Sequence, residues 1–239
     1  MLAWALAIAF VFKSFFIDTF WIPSGSMEPS LDVGDFIVVT KWTYGYNRHS
    51  LVFDPPIFKG QRFWAGDVER GDVVVFDSTT IGSQFGAYTE TSDPSQSRTG
   101  GYHVIKRVIG LPGDHVALNE GIITVTTRQG EALTFAREEI AREDVIEEVE
   151  AQNGAVDRRS RTFVTYAETN PEGRRYEVRE ILTQQGAPDP NGLDTYDLGR
   201  GTYARHFVDG VVPEGHVFVM GDNRDRSGDS RFSVRSVPM

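Results

Sequence analysis

The apolar positions of this chain change character along its length. Leu2 to Phe12 is uninterrupted apolar sequence, and Phe15, Phe16, Ile17, Phe20, Trp21 and Ile22 carry it past Lys13, Ser14 and Asp18. A helix over Leu2 to Ile22, rising about 1.5 Å per residue, would match the hydrocarbon of a bilayer, with Lys13 snorkelling and Phe20 and Trp21 at the interface. Further on, short runs of Val, Ile, Phe and Tyr broken by Gly and Pro have the length and content of strands. Tyr102 to Ile109 reads as one strand, ended by the Gly110-Leu111-Pro112-Gly113-Asp114 turn, and His216 to Met220 as another. Arg161 to Leu182 reads as a hairpin around Asn170-Pro171-Glu172-Gly173. The acidic stretch Ala136 to Ala151 is a candidate short helix, although Val145-Ile146 is strand-like. Tyr44 to Gly66 and Thr79 to Gly101 read as loops.

With 239 residues and 40% hydrophobic side chains, the chain can bury a core as one large domain or two small ones. Its 24 Gly and 11 Pro favour a mainly β body. With no cysteine there is no disulfide framework, thiolate nucleophile or Cys-ligated zinc, and the redox compartment is not readable. A net charge of −10 argues against a nucleic-acid partner, since phosphate contacts need clustered Lys and Arg. Met1 runs straight into apolar residues, without the basic start of a cleavable secretory signal. That predicts an anchor, a reading frame that begins upstream, and an orientation not readable from charge.

Immediately after the apolar segment comes "WIPSGSMEPSL", Trp21 to Leu31, in which Pro23 and Pro29 bracket Ser24-Gly25-Ser26-Met27 and exclude helix. Two hydroxyls flanking a glycine could supply a nucleophile and an oxyanion donor, or the stretch could be a plain linker. A nucleophile needs a base. In "YHVIKRVIGLPGDHV" alternation sends Lys106 and Arg107 to opposite strand faces, so one buried face means one buried cation. Arg keeps its proton everywhere, whereas burial can bring a Lys amine toward neutrality, which makes Lys106 the chemically sensible base for Ser26. The competing arrangement is a surface Lys106 with Arg107 turned inward against a carboxylate. His49, His103, His115, His206 and His216 show no zinc spacing, so no metal is expected from them. In "HVFVMGDNRDRSGDSRF", His216 to Phe232, Asp222, Asp225, Ser227 and Asp229 could suggest a calcium loop. Arg224, Arg226 and Arg231 match the aspartates in number and no closing Glu follows, so an internally neutralised network is more economical. Ser227 is suited to orient a neutral lysine amine.

Taken together these stretches resemble bacterial type I signal peptidase, a membrane-anchored Ser/Lys endopeptidase family. The similarity runs in order through "IPSGSMEPSL", "GDFIVVTKWTYG" (Gly34 to Gly45), "RGDVVVF" (Arg70 to Phe76), "IKRVIGLPGD" (Ile105 to Asp114) and "GDNRDRSGDSR" (Gly221 to Arg231). The resemblance implies Ser26 as nucleophile and Lys106 as general base, with Ser24 and the Ser26 backbone N–H as oxyanion donors. It implies Ser227 as the lysine-orienting residue, Asp229 and Arg231 as its supporting network, and Ile22, Met27 and Ile105 as the border of an apolar substrate pocket. Such a pocket suits the small residues of an A-x-A cleavage site. The partners implied are signal peptides of secretory preproteins and membrane lipid, with no cofactor, at a bacterial inner membrane and with the catalytic domain on its extracytoplasmic side. The "FSVRSVPM" ending departs from the family's usual aromatic pair and glycine, and stops at Met239.

The expected architecture is a signal-peptidase-like antiparallel β catalytic core with an inserted β-rich subdomain and an N-terminal membrane-anchor helix. The division is an anchor over 1–22, a first core part over 23–115, an insertion over 116–212 and a second core part over 213–239. Two other readings compete: a related Ser/Lys self-cleaving regulator, which would carry a DNA-binding domain in place of the anchor, and a non-catalytic membrane-tethered β module.

Overall fold

A computed structural model describes residues 4, 10, 13, 15–44, 66–77, 103–119, 121–150, 156–182, 209–231 and 237–238. Two units are distinguishable, one of residues 1–23 and 33–69, the other of 24–32 and 70–239. In the first, strand β1 (Ile17–Trp21) pairs antiparallel with β2 (Phe36–Thr40), Trp21 opposite Phe36 and Ile17 opposite Thr40. This corrects the expected helix over Leu2 to Ile22, whose last residues are strand. Ile17, Thr19, Phe20 and Trp21 are β-branched or aromatic, and they meet an equally β-prone partner in Phe36-Ile37-Val38-Val39-Thr40. Lys41 closes on Asp18 at 3.2 Å. Among the described residues no helix is long and apolar enough to cross a membrane.

The described strands of the second unit all pair antiparallel. It contains β3 (Val73–Asp77), β4 (His103–Gly110), β5 (His115–Asn119), β6 (Ile122–Thr126), β7 (Ala132–Thr134), β8 (Ala136–Glu150), β9 (Val156–Thr169), β10 (Arg175–Leu182), β11 (Asp209–Val211), β12 (His216–Met220) and β13 (Val237–Pro238). They form sheets in the orders β13-β12-β4-β3, β11-β5-β6-β7 and β10-β9-β8. Ile109, Val116, Leu118, Ile123, Val125, Phe135, Val212, Phe218 and Met220 make the apolar core. Gly110 ends β4 where this core converges, since a Cβ there would come within 2.6 Å of the Val116 methyl. The hairpin expected around Asn170 to Gly173 is the β9–β10 turn, closed by Asn170 N–H to Arg174 O at 3.0 Å, with Gly173 at φ +85°.

Ala136 to Ala151 is not helical: its described residues are the strand β8, paired with β9 from Ala136–Thr169 to Glu150–Val156. The helical alternative rested on charge, yet in the β8–β9 ladder the register sets Glu147 opposite Arg159 and Glu148 opposite Arg158. The expected loops, apart from their ends at Tyr44 and Gly66, lie outside the described residues.

Candidate active site

Ser26 occupies the middle of a single 3-10 turn, Gly25–Met27, entered and left by extended residues Ser24 and Glu28. The flanking prolines of the sequence keep the turn to this length. Ser26 and Met27 are 4% and 2% exposed. Lys106 is 2% exposed, and its Nζ donates to Ser26 Oγ at 2.6 Å across 80 positions of sequence. β4 makes this possible because it is a central strand, bonded by β3 on one side and β12 on the other, and it is buried from Lys106 to Gly110.

Arg107 is buried as well, so the expectation that only one of the two cations would be inside is corrected. Both sides of β4 are covered, and each cation meets a different environment. Arg107 forks onto Asp222 at 2.8 and 2.6 Å, donates to Gly71 O at 2.8 Å and lies 3.9 Å over the Tyr176 ring. A planar guanidinium is suited to satisfying all three at once.

The Gly221–Arg231 segment is pinned mainly from outside itself, which revises the expected self-neutralised loop. Asp222 takes Arg107 of β4, and Arg224 forks onto Glu168 of β9 at 2.5 and 3.1 Å. Tyr176 Oη also donates to Glu168, at 2.9 Å, and burial, then Glu168, pushes the Tyr176 hydroxyl up so that it remains a donor. Burial is the largest single effect on Arg224 and lowers it, but the Glu168 charge and hydrogen bond, with Tyr176 and Asp222, together outweigh it and the guanidinium is raised. Backbone bonds tie β10 to the same place, Arg179 N–H to Asp222 O at 2.9 Å and Arg224 N–H to Arg179 O at 2.8 Å. Asp229 and Arg231 do pair within the segment. Burial would raise the Asp229 carboxyl, but Arg231, donating from Nε at 2.8 Å, and the Gly221 N–H hold it below the ordinary Asp range. Asn223 reaches the serine turn directly, its Nδ2 donating to Gly25 O at 2.9 Å and its N–H to Ser26 O at 3.1 Å.

A buried amine hydrogen-bonded to a buried hydroxyl, braced by a paired polar segment, is an arrangement able to activate a serine. The sequence profile described as "Signal peptidase, peptidase S26" matches residues 1–239. The chain belongs to this family. Signal peptidase I of Rickettsia canadensis (strain McKiel) is 31% identical over 99% of this chain and 72% of its own length. That of Rickettsia typhi (strain ATCC VR-144 / Wilmington) is 33% identical over 98% and 71%. A solved signal peptidase I from Enterococcus faecalis V583 overlaps 72% of this chain and 97% of its own at 20% identity, with a TM-score of 0.26, a likeness too distant to carry anything further. Membership makes the chain a peptidase of the signal peptidase I kind, with preproteins bearing signal peptides as the implied substrates.

Of the residues the signal peptidase resemblance singled out, Ser26 and Lys106 meet directly. Met27 is buried beside Ser26, and Ile105, half-buried, precedes Lys106 on β4. Ser24 is half-buried and extended. Ser227 is fully buried, and its Oγ makes no hydrogen bond among the described residues. Ile22 belongs to the other unit, where it is 3% exposed and bonded through its backbone to Asp35 and Gly34. Sequence reasoning missed Asn223, and missed Glu168, Tyr176 and Arg179 of the β9–β10 hairpin. The "GDNRD" run offered a signal for Asn223; the hairpin residues carry no local pattern of their own.

Proposed function

We propose that the chain hydrolyses preproteins by acyl transfer, with Ser26 as nucleophile and Lys106 as general base. The observation that carries this reading is the 2.6 Å contact between Lys106 Nζ and Ser26 Oγ inside a region where both side chains are almost wholly buried. Burial disfavours the charged ammonium, so the amine can take the hydroxyl proton as Ser26 Oγ bonds to the scissile carbonyl carbon. The Ser26 N–H and the Ser24 hydroxyl receive the developing oxyanion. The lysine returns the proton to the departing amine, and water then hydrolyses the acyl-enzyme. The family resemblance assigns Ser227, with Asp229 and Arg231, to orienting the amine; its hydroxyl makes no hydrogen bond among the described residues, so this role rests on the resemblance alone. Met27 and Ile105 offer apolar surface to the small residues of an A-x-A site. The apolar N-terminal segment anchors the enzyme in the bacterial plasma membrane, with the β body outside the cytoplasm.

The test is cleavage of a preprotein by the detergent-solubilised protein and its Ser26→Ala, Lys106→Ala and Lys106→Arg variants. All three should lose cleavage while remaining folded. If they cleave like the parent, the serine stretch is a linker and the chain a tethered β module.

A further inference from the structure

We propose that Asn223 is a positioning residue that aims the Ser26 backbone N–H, by fixing the plane of the peptide between Gly25 and Ser26. The inference rests on Ser26 being the nucleophile. Asn223 Nδ2 donates to Gly25 O at 2.9 Å, and its own N–H donates to Ser26 O at 3.1 Å, so both carbonyls flanking the Ser26 backbone are held by one residue. A trans peptide is planar, with its C=O and N–H pointing in opposite directions. Holding Gly25 O therefore sets the direction of the Ser26 N–H, the backbone donor for the oxyanion.

Asn223 is itself held firmly. It is 1% exposed, makes a parallel bridge with Arg179, and stands between Asp222, fixed by Arg107, and Arg224, fixed by Glu168. The direction of its amide is set too: turned over, it would place oxygen against the Gly25 carbonyl. As it stands, Asn223 Oδ1 is buried with no partner among the described residues, an arrangement unfavourable to stability in itself. Gly25 O has a second donor, the Glu28 N–H at 3.2 Å, so removing the Asn223 amide orphans no carbonyl. The side chain thus contributes little to folding and much to aim, and the two can be separated.

The experiment measures kcat and KM for preprotein cleavage, the pH profile and the melting temperature of full-length parent, Asn223→Ala and Asn223→Ser, the latter too short to reach Gly25 O. Losing one oxyanion donor outright lowers kcat about 100- to 1,000-fold, so a mis-aimed one should lower it roughly 10- to 100-fold. KM should stay within about twofold, the base limb of the pH profile should not move, and the melting temperature should stay within a few degrees. The proposal is overturned if either folded variant keeps kcat within about threefold of the parent. It is overturned as well if kcat falls only in proportion to lost folded protein. Ser26→Ala, run alongside, separates the cases: a cleaving Ser26→Ala removes the underlying assignment, whereas an inactive one with active Asn223 variants removes only the role of Asn223.

Discussion

At Gly221 the Gly221–Arg231 segment leaves no room for a side chain beside the serine turn, which makes Gly221→Ala a sharp perturbation. A Cβ built there would lie 2.5 Å from Ser26 O and against Ser227 Oγ and Cβ. Ordinary contact begins near 3.4 Å, so Ser26 O must separate by about 0.9 Å and the Ser227 atoms by more. Gly221 has little freedom to retreat, because its N–H is bonded to Asp229 at 2.9 Å and its carbonyl accepts from Arg224 at 3.1 Å. The Ser26 carbonyl gives way instead, and with it the turn that presents Oγ to Lys106. Overpacking of this kind costs about 1–3 kcal/mol, or roughly 2 to 12 °C of melting temperature in a protein of this size, while a misplacement near 1 Å lowers turnover about 100-fold. Preprotein cleavage at saturating and sub-saturating substrate, alongside thermal unfolding, reads both. A variant with kcat within about threefold of the parent and an unshifted melting temperature would refute the close approach and the tightness ascribed to this turn.

Glu168→Gln should lower stability by about 3–5 kcal/mol in chemical denaturation, because it leaves Arg224 buried without its counter-charge. Arg142→Ala, which breaks the exposed pair with Glu139, should leave the unfolding midpoint where it is. Arg107→Lys keeps the charge but loses the fork onto Asp222, and should destabilise by about 1–3 kcal/mol in the same assay while folded enzyme still cleaves preprotein. Asp229 sits below the ordinary Asp range, so its contribution is complete above about pH 3.9 and is lost as pH falls through its own lower value. The stability gap between parent and Asp229→Asn, followed by denaturant unfolding from neutral to acid pH, should therefore close in acid; a constant gap would count against the Arg231 pairing.

What was legible in the sequence was what short stretches encode. Pro23 and Pro29 bound the serine turn, and the β-branched run from Tyr102 to Ile109 marked a strand able to bury Lys106. Where two templates fitted one stretch, composition chose wrongly. Ile17 to Trp21 suits a membrane helix and a strand equally, and what decides is a partner strand beginning at Phe36. The glutamates from Glu138 to Glu148 suggested helix, but their ladder with β9 outweighs local preference. Long-range pairing was the least legible. Three Asp and three Arg in one turn balance on paper, yet Asp222 and Arg224 take partners far away in sequence, at Arg107 and Glu168. Equal numbers of charges say nothing about which ones meet.

The adjacency of Lys106 and Arg107 explains why the site is built around β4. Successive residues of a strand face opposite ways, so a strand covered on both sides must bury both cations. A guanidinium keeps its proton wherever it is placed, and it is tolerable inside only with a fixed counter-charge. Arg107 has one in Asp222, together with the Gly71 carbonyl and the Tyr176 ring. An amine can surrender its proton, so burial acts on its chemistry as well as on its stability, and Lys106 faces a hydroxyl at 2.6 Å. Exchanging the two would put a permanent charge against Ser26 and a poorly forked ammonium against Asp222. The order of the pair also links their tasks: Asp222, held by the structural cation, is followed directly by Asn223, which holds the turn bearing Ser26. The charge that cannot leave its proton behind thus fixes the frame against which the neighbouring amine acts.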